Sequence, residues 1–203
     1  MSFREYFKEI EEELKKAKSG HGEESLFSHC IRVRELFDQL FDFHKLNEEP
    51  NAKLLRDLGH FLSYYHDLGK LEGWSPGITH SDRSIYRLYR DNVRFNDLRF
   101  TALAYFLILR HHSSLRPLEI DLIERYDYKC LVREFRRIEW SELLPRLEVE
   151  CMIDRVDIVD VFGLFKLADC ISAWEAESKK RYAPIKLSIT QDSVRNILQW
   201  GSR

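Results

Sequence analysis

The sequence lacks the runs and pairings that mark several large classes of protein. No uninterrupted apolar run approaches the roughly 18 residues that a membrane-spanning helix needs, so we expect no transmembrane segment. The first residues contain no apolar signal-peptide region, which favours a cytoplasmic protein. The cysteines form no C-x-x-C pair, and we expect free, buried thiols in a reducing compartment. They are Cys30, Cys130, Cys151 and Cys170.

The chain also lacks an excess of charge and a glycine-rich phosphate loop. Lysine and arginine number 32 against 34 aspartates and glutamates, for a net charge of -2. A positive field over the whole molecule is therefore excluded, and nucleic acid would have to bind a local basic patch. The missing phosphate loop excludes a nucleotide-driven motor.

Signals for β-structure are weak, because no segment alternates polar and apolar residues for long and no Asn-Gly turn occurs. Apolar residues instead recur at helical spacing. With 44% hydrophobic residues in 203, the sequence predicts one all-α domain over 1–203. The predicted helices cover 3–18, 26–44, 52–67, 80–93, 98–112 and 157–179, with weaker candidates at 118–126, 131–144 and 189–200.

Histidines and aspartates stand at or near the ends of several predicted helices. The most distinctive run is His66-Asp67-Leu68-Gly69-Lys70, where two metal-ligand residues are adjacent. An unpaired buried carboxylate is costly, so such a pair is a poor choice for a core unless a cation lies beside it. The candidate ligands are His29, His66, Asp67, His80, His111, His112 and Asp169.

A helical bundle brings such ends together and builds metal sites from inward-facing side chains. Seven ligands are too many for one tetrahedral site, and they suit two ions bridged by the carboxylate of Asp67. The mixed imidazole and carboxylate set favours Mn, Fe, Co, Ni or Zn over a magnesium-only oxygen site, although Mg remains a candidate. Two ions roughly 3.5–4 Å apart suit phosphoryl chemistry. Lys70 would reach the same space and stabilise transition-state charge or orient the phosphate.

Each part of this set has a simpler interpretation. A His-Asp pair also occurs at solvated helix ends, and adjacent histidines also play structural roles. Asp169 would equally pair with an arginine, and Asp157 and Asp160 compete with it as the last ligand. We assign structural roles to three other histidines, which are His21, His44 and His60.

The order His, His-Asp, His, His-His, Asp resembles the HD superfamily of metal-dependent phosphohydrolases. More closely, four segments resemble the HD nuclease of type I CRISPR interference, over about 25–175 of the chain. They are Ser28-His29-Cys30, His66-Asp67-Leu68-Gly69-Lys70, Thr79-His80-Ser81 and His111-His112-Ser113-Ser114-Leu115.

The resemblance implies an HD-domain helical bundle with a metal site at its centre. It implies that His29, His66, Asp67 and Asp169 hold one ion, and that Asp67, His80, His111 and His112 hold a second. It also implies that Lys70 contacts the phosphate. Because the chain lacks helicase motifs, it resembles the stand-alone nuclease subunit, whose implied partners are a separate CRISPR-associated helicase and a target-bound interference complex.

Arginines recur along the predicted helix that begins at His80. Arg83, Arg87, Arg90 and Arg94 are spaced to share one face, with Tyr86 on an adjacent face. Such a stripe would follow a phosphate backbone while tyrosines stack on single-stranded bases. The alternative is a solvated face whose arginines pair with nearby aspartates, which are Asp82, Asp91 and Asp97.

Taken together, these features predict a divalent-metal-dependent nuclease that hydrolyses single-stranded DNA, and RNA as an open second substrate, in CRISPR antiviral defence. Water would attack phosphorus directly, with Asp67 and Lys70 at the catalytic centre. Two alternatives stay open. One is an HD phosphohydrolase acting on small nucleotides, and the other is a non-catalytic interaction subunit that uses metal to hold its fold together.

Overall fold

The structure is a computed structural model that describes residues 2–73, 76, 78–112 and 155–178. These residues form α-helices and short 3-10 helices and contain no β-strand, which confirms the all-α prediction for this part of the chain. The α-helices are α1 (Phe3–Glu9), α2 (Glu11–Lys16), α3 (Leu26–Phe43), α4 (Ala52–Tyr65), α5 (His80–Arg90), α6 (Leu98–Leu109) and α7 (Arg155–Ser178). The 3-10 helices are Leu46–Glu48 and Leu68–Glu72.

The N-terminal helix predicted over 3–18 is two helices. Ile10, with φ -91° and ψ 6°, leaves helical geometry and separates α1 from α2. Phe7 is buried and stacks on Tyr64 at a ring-centroid distance of 4.1 Å, and the Phe3 ring meets Phe61 at 5.6 Å. Because of this break, the aromatic side chains of α1 pack against α4.

Helices α3, α4 and α7 form the centre of the bundle. Ser25 begins α3, because its side chain accepts a hydrogen bond from the backbone N–H of Ser28 at 3.1 Å. Arg32 of α3 donates two hydrogen bonds, of 2.7 and 2.8 Å, to the buried carboxylate of Glu175 on α7. This bidentate ion pair fixes the register of α3 against α7.

The turn after α4 is held tightly against α5. A Cβ at Gly69 would lie 1.9 Å from the carbonyl oxygen of His80, so only glycine fits at this position. Ser84 links the same segments, since its hydroxyl accepts from the Gly69 N–H at 2.7 Å and lies 3.1 Å from the His66 carbonyl. Thr79 and Asp82 form a capping box at the start of α5.

Several helix boundaries in the structure differ from those predicted from the sequence. Helix α4 ends at Tyr65, with His66 as its C-cap and Asp67 before a 3-10 helix in a segment predicted as loop. Helix α5 ends at Arg90, three residues before the predicted end at 93. The histidine pair 111–112 follows α6 in a turn rather than ending the helix. The candidates at 118–126, 131–144 and 189–200 lie outside the described residues.

The thiols of the described residues differ in their environment. Cys30 is free and buried, as expected, whereas Cys170 is free but exposed on α7, contrary to the expectation of a buried thiol. Cys130 and Cys151 lie outside the described residues. No helix in the described part of the chain has the length and apolar character that crossing a membrane requires.

The contact of α3 with α4 depends on Gly59. A Cβ at Gly59 would lie 1.9 Å from Cζ of Phe37, whose side chain is fully buried. We expect Gly59→Ala to lower the free energy of unfolding by about 1–3 kcal/mol through overpacking. Urea unfolding should show this loss and its partial recovery in the Gly59→Ala/Phe37→Leu double variant. Equal losses in the single and double variants would contradict the steric cause.

Candidate metal centre

Asp67 lies between two groups of histidines. Its carboxylate is only 2% exposed, because the C-terminal end of α4 buries it among α3, α5 and α7. The Oδ2 atom is 3.5 Å from Nε2 of His66 and 3.8 Å from Nε2 of His29. The Oδ1 atom is 3.1 Å from Nε2 of His80 and 3.7 Å from Nε2 of His111. The two oxygens therefore face different imidazoles.

The first group, which we call the inner cluster, consists of His29, His66 and Asp169 together with Oδ2 of Asp67. Nε2 of His29 lies 3.3 Å from Nε2 of His66 and 3.1 Å from Oδ1 of Asp169, and His66 lies 3.4 Å from the same oxygen. Ligand atoms of His29, His66 and Asp169 all fall within 4.8 Å of one another. Three helices, α3, α4 and α7, thus deliver one compact donor set.

The second group, which we call the outer cluster, consists of His80, His111 and His112 together with Oδ1 of Asp67. Nε2 of His80 lies 3.3 Å from Nε2 of His111 and 2.7 Å from Nε2 of His112. Ligand atoms of all four residues again lie within 4.8 Å of one another. The N-terminal end of α5 and the turn after α6 supply these imidazoles.

Backbone carbonyls fix which nitrogen of two histidines faces the centre. Nδ1 of His66 lies 3.2 Å from the Leu62 carbonyl, and Nδ1 of His111 lies 2.7 Å from the Ile108 carbonyl. A carbonyl only accepts, so each Nδ1 carries a proton, and in the neutral imidazole each Nε2 presents a lone pair. This is the arrangement typical of metal-ligating histidine, with the second ring nitrogen held by the protein.

The donor atoms fit a divalent cation. Two nitrogens bound at 2.0–2.1 Å to one tetrahedral ion are about 3.3 Å apart, which matches the His29–His66 and His80–His111 nitrogen pairs. Facing lone pairs repel without a proton or cation between them. Oδ1 of Asp67 is also buried with no hydrogen-bond partner among the described residues, and such an orphaned acceptor is costly. A bound cation would satisfy both conditions.

Electrostatics keep these groups in the forms that bind metal. Burial would raise the pKa of Asp67, but His66, His111, His80 and Lys70 hold it well below its usual range. Burial likewise opposes ionisation of Asp169, and His66 and His29 still hold its pKa well below the usual range. Burial lowers the pKa of His111, and burial with the neighbouring imidazoles lowers that of His112 to about 4. Neutral imidazoles and ionised carboxylates are the ligating forms.

His29 differs from the other ligands. Burial disfavours its protonated form, yet the carboxylates of Asp169 and Glu24 raise its pKa to about 9. Its Nδ1 lies 3.1 Å from the Ser172 hydroxyl and 3.7 Å from Oε2 of Glu24. Without a cation, a proton on His29 offsets the negative charge of the inner cluster, and a bound ion would take over that function.

Lys70 lies beside the centre but is already engaged. Its ammonium is 2.5 Å from Oδ2 of Asp67 and also donates a hydrogen bond to the Ser19 carbonyl. The side chain is 22% exposed. A phosphate contact by Lys70 stays a prediction, and the contact that the structure gives is with Asp67 and the loop before α3.

Among the three candidate aspartates of α7, the structure brings Asp169 to the centre. Asp160 is exposed and contributes no ligand atom to the groups found among the described residues. Asp157 precedes Asp169 by about 18 Å of helix at 1.5 Å per residue. The sequence alone did not distinguish Asp157, Asp160 and Asp169 as the last ligand, because all three lie on the same amphipathic helix.

The structure does not place the four arginines of the predicted stripe on one exposed face, and nucleic-acid binding by them stays a prediction. Arg87 is 8% exposed, and its guanidinium contacts the Tyr6 hydroxyl at 3.1 Å, Glu13 at 2.6 Å and Glu72 at 3.2 Å. It therefore links α5 to α1, α2 and the 3-10 helix. Helical periodicity predicted an exposed position for Arg87, because a pattern within α5 carries no information on how α1 and α2 pack against this helix.

The other arginines of the stripe are only partly available. Arg83 donates to the carbonyls of Gly69 and Ile78, both at 3.0 Å, and Arg90 is exposed but pairs with Asp91 at 2.8 Å. Arg94 is exposed but lies beyond the end of α5, since the chain turns through Asn92 with φ 55°. Tyr86 is 54% exposed and remains available for stacking.

One residue that the sequence analysis set aside lies beside the centre. The His21 and His29 rings are 5.3 Å apart between centroids. Ligand atoms of His21, His29 and Asp67 all lie within 4.8 Å of one another. Its place in a Gly-His-Gly loop suggested an incidental residue, and the two flanking glycines were the available signal that this loop has a special conformation. His44 and His60 contribute no ligand atom to these groups.

Comparisons with protein-family models, curated proteins and solved structures found no match to this chain.

The choice of Asp169 leads to a direct test. We expect Asp169→Asn to weaken divalent-metal binding at least about 10-fold, because it removes a charged donor from the inner cluster. Asp160→Asn is the matched control on the same helix and should bind as the unmodified protein does. Calorimetric titration with Mn²⁺ or Co²⁺ measures both. Equal affinity of the two variants would remove Asp169 from the donor set.

The buried network around Arg87 leads to a second test. Arg87→Met should lower the free energy of unfolding by roughly 1–3 kcal/mol, because Glu13, Glu72 and the Tyr6 hydroxyl lose their shared donor. Arg94→Ala, at an exposed position, should leave stability within about 0.5 kcal/mol. Urea unfolding compares the two variants, and an unchanged midpoint for Arg87→Met would show that this network does not stabilise the fold.

Proposed function

We propose that this chain is a divalent-metal-dependent nuclease that hydrolyses phosphodiester bonds in single-stranded DNA, with RNA as a second polymer to be tested. The observation that carries the proposal is the shared carboxylate of Asp67. Each of its oxygens faces a separate group of imidazoles. A carboxylate placed between two donor sets could bridge two ions, an arrangement that suits two-ion phosphoryl chemistry.

The donor set indicates which residues would hold the ions and which ions suit it. His29, His66, Asp67 and Asp169 would hold one, and Asp67, His80, His111 and His112 the other. Five imidazoles favour Mn, Fe, Co, Ni or Zn, while Mg prefers oxygen donors. Such ions would supply an activated water near neutral pH and would offset the charge that develops on phosphate oxygens.

The side chains also suggest where a phosphate would enter. His29, His66 and His111 are at most 2% exposed. By contrast, the His80 side chain is 24% exposed and His112 is exposed. Among the described residues, the most exposed imidazole of the two clusters is therefore that of His112, in the outer cluster. The Lys70 ammonium, 22% exposed, would attract an anion toward Asp67 and compensate its added charge.

A small-nucleotide phosphohydrolase is the second candidate, and one observation favours it. Arg87 is withdrawn into the fold and Arg83 is bound to carbonyls, so the described residues offer a shorter basic track than a long polymer would use. The centre itself suits either substrate, because both contain phosphate esters. The CRISPR setting, the separate helicase and the interference complex rest on the sequence resemblance alone.

A metal-scanned cleavage assay tests the proposal. Purified protein, stripped with chelator and reloaded with Mn²⁺, Co²⁺, Ni²⁺ or Mg²⁺, is incubated with end-labelled single-stranded DNA, the matching RNA and a panel of nucleotides. We expect polymer cleavage that chelator abolishes. Asp67→Ala should lower the rate at least about 100-fold and reduce bound metal, because it removes the donor common to both clusters.

His44→Ala is the matched control, since His44 caps the opposite end of α3 from His29 and should retain full activity. Nucleotide hydrolysis without polymer cleavage would select the second candidate. If Asp67→Ala matches the unmodified protein on every substrate, both enzymatic functions fail. Metal removal that unfolds an otherwise inactive protein would instead support the non-catalytic metal-held subunit.

A further inference from the structure

His21 lies next to the inner cluster and faces the same carboxylate as His29. A ring nitrogen of His21 is within 4.8 Å of ligand atoms of both His29 and Asp67, and the two imidazole rings are 5.3 Å apart. The side chain is 27% exposed. His29, His66 and Asp67 are buried and the Asp169 side chain is 19% exposed, so His21 lies on the solvent side of these donors.

A carboxylate on α7 orients this imidazole. Nδ1 of His21 is 3.0 Å from Oε1 of Glu177. An ionised carboxylate only accepts hydrogen bonds, so Nδ1 carries a proton, and in the neutral imidazole Nε2 keeps a lone pair. A histidine whose outer nitrogen donates to a carboxylate is the usual form of a metal-binding histidine, because the carboxylate fixes the ring and increases its basicity.

The loop that carries His21 is held in place on both sides. Gly20 has φ 91°, and a Cβ there would lie 3.6 Å from Nζ of Lys70. Gly22 has φ 58°, and a Cβ there would lie 3.0 Å from the Ala176 carbonyl of α7. The Ser19 N–H closes the loop by donating to the Glu24 carbonyl at 3.0 Å. The imidazole is thus positioned by contacts with the 3-10 helix and with α7.

We propose that His21 is a further ligand of the ion held by the inner cluster, and that Glu177 is its positioning residue. The inference rests on the metal binding in the proposed function. His21 adds a donor from the solvent-exposed side to His29, His66, Asp67 and Asp169. The inner ion is then enclosed, and the outer cluster keeps the more open coordination.

Cobalt binding by the metal-free protein provides the test, with readouts that do not depend on activity. Co²⁺ affinity by calorimetry and the visible spectrum of bound Co²⁺ are compared for His21→Ala, His21→Gln, Glu177→Gln and the control His44→Ala. We expect both His21 variants to bind one Co²⁺ about 10-fold more weakly and with a changed spectrum. Glu177→Gln should weaken binding by a smaller factor, and His44→Ala should match the unmodified protein.

Cobalt binding distinguishes the loss of a ligand role for His21 from the loss of the whole metal centre. If the unmodified protein binds Co²⁺ and a folded His21 variant shows the same affinity and spectrum, the ligand role of His21 is overturned while the metal centre stands. If the unmodified protein binds no Co²⁺, the centre and the role of His21 both fall. Far-UV circular dichroism establishes folding, and the use of two His21 substitutions keeps one available if the other destabilises the loop.

Discussion

The burial of the Asp67 carboxylate is the constraint on which the described structure depends. An anion that is 2% exposed, with one oxygen lacking a hydrogen-bond partner among the described residues, requires compensating charge close by. Lys70 contacts one oxygen, and imidazoles from α3, α5 and the turn after α6 surround both. Helices that would otherwise pack only through apolar side chains thus converge on the Asp67 carboxylate. The arrangement of the helices in the bundle follows from this convergence.

The inner and outer clusters differ in how firmly the surrounding structure holds their side chains. The inner cluster is built from α3, α4 and α7, and the bidentate pair of Arg32 with Glu175 fixes two of these helices beside it. The outer cluster takes one imidazole from the start of α5 and two from a turn, and His112 is exposed. Under the proposed function, the inner cluster would keep its geometry while a substrate approaches the more exposed outer cluster.

Much of the fold and the candidate centre follows from sequence patterns that report local geometry. Helical periodicity predicts α3, α4 and α6 closely, and polar residues at helix ends correctly mark His66, Asp67 and His80 as neighbours in space. Periodicity failed at Arg87, because a face that looks polar in isolation is covered by α1 and α2. It also missed His21, since a short loop has no repeating pattern and its position depends on distant α7.

The close contact at Gly69 has a consequence for the choice of ion. Main chain touches main chain there, so the spacing of Asp67 and His80 is set by backbone contact rather than by side-chain rotamers. Cations differ by tenths of an ångström in preferred bond length. The buried donors have little freedom to follow such differences, whereas the exposed imidazole of His112 has more. If the centre binds metal as proposed, backbone packing at Gly69 would set its selectivity among ions, and the exposed His112 side chain would set its tolerance of several ions.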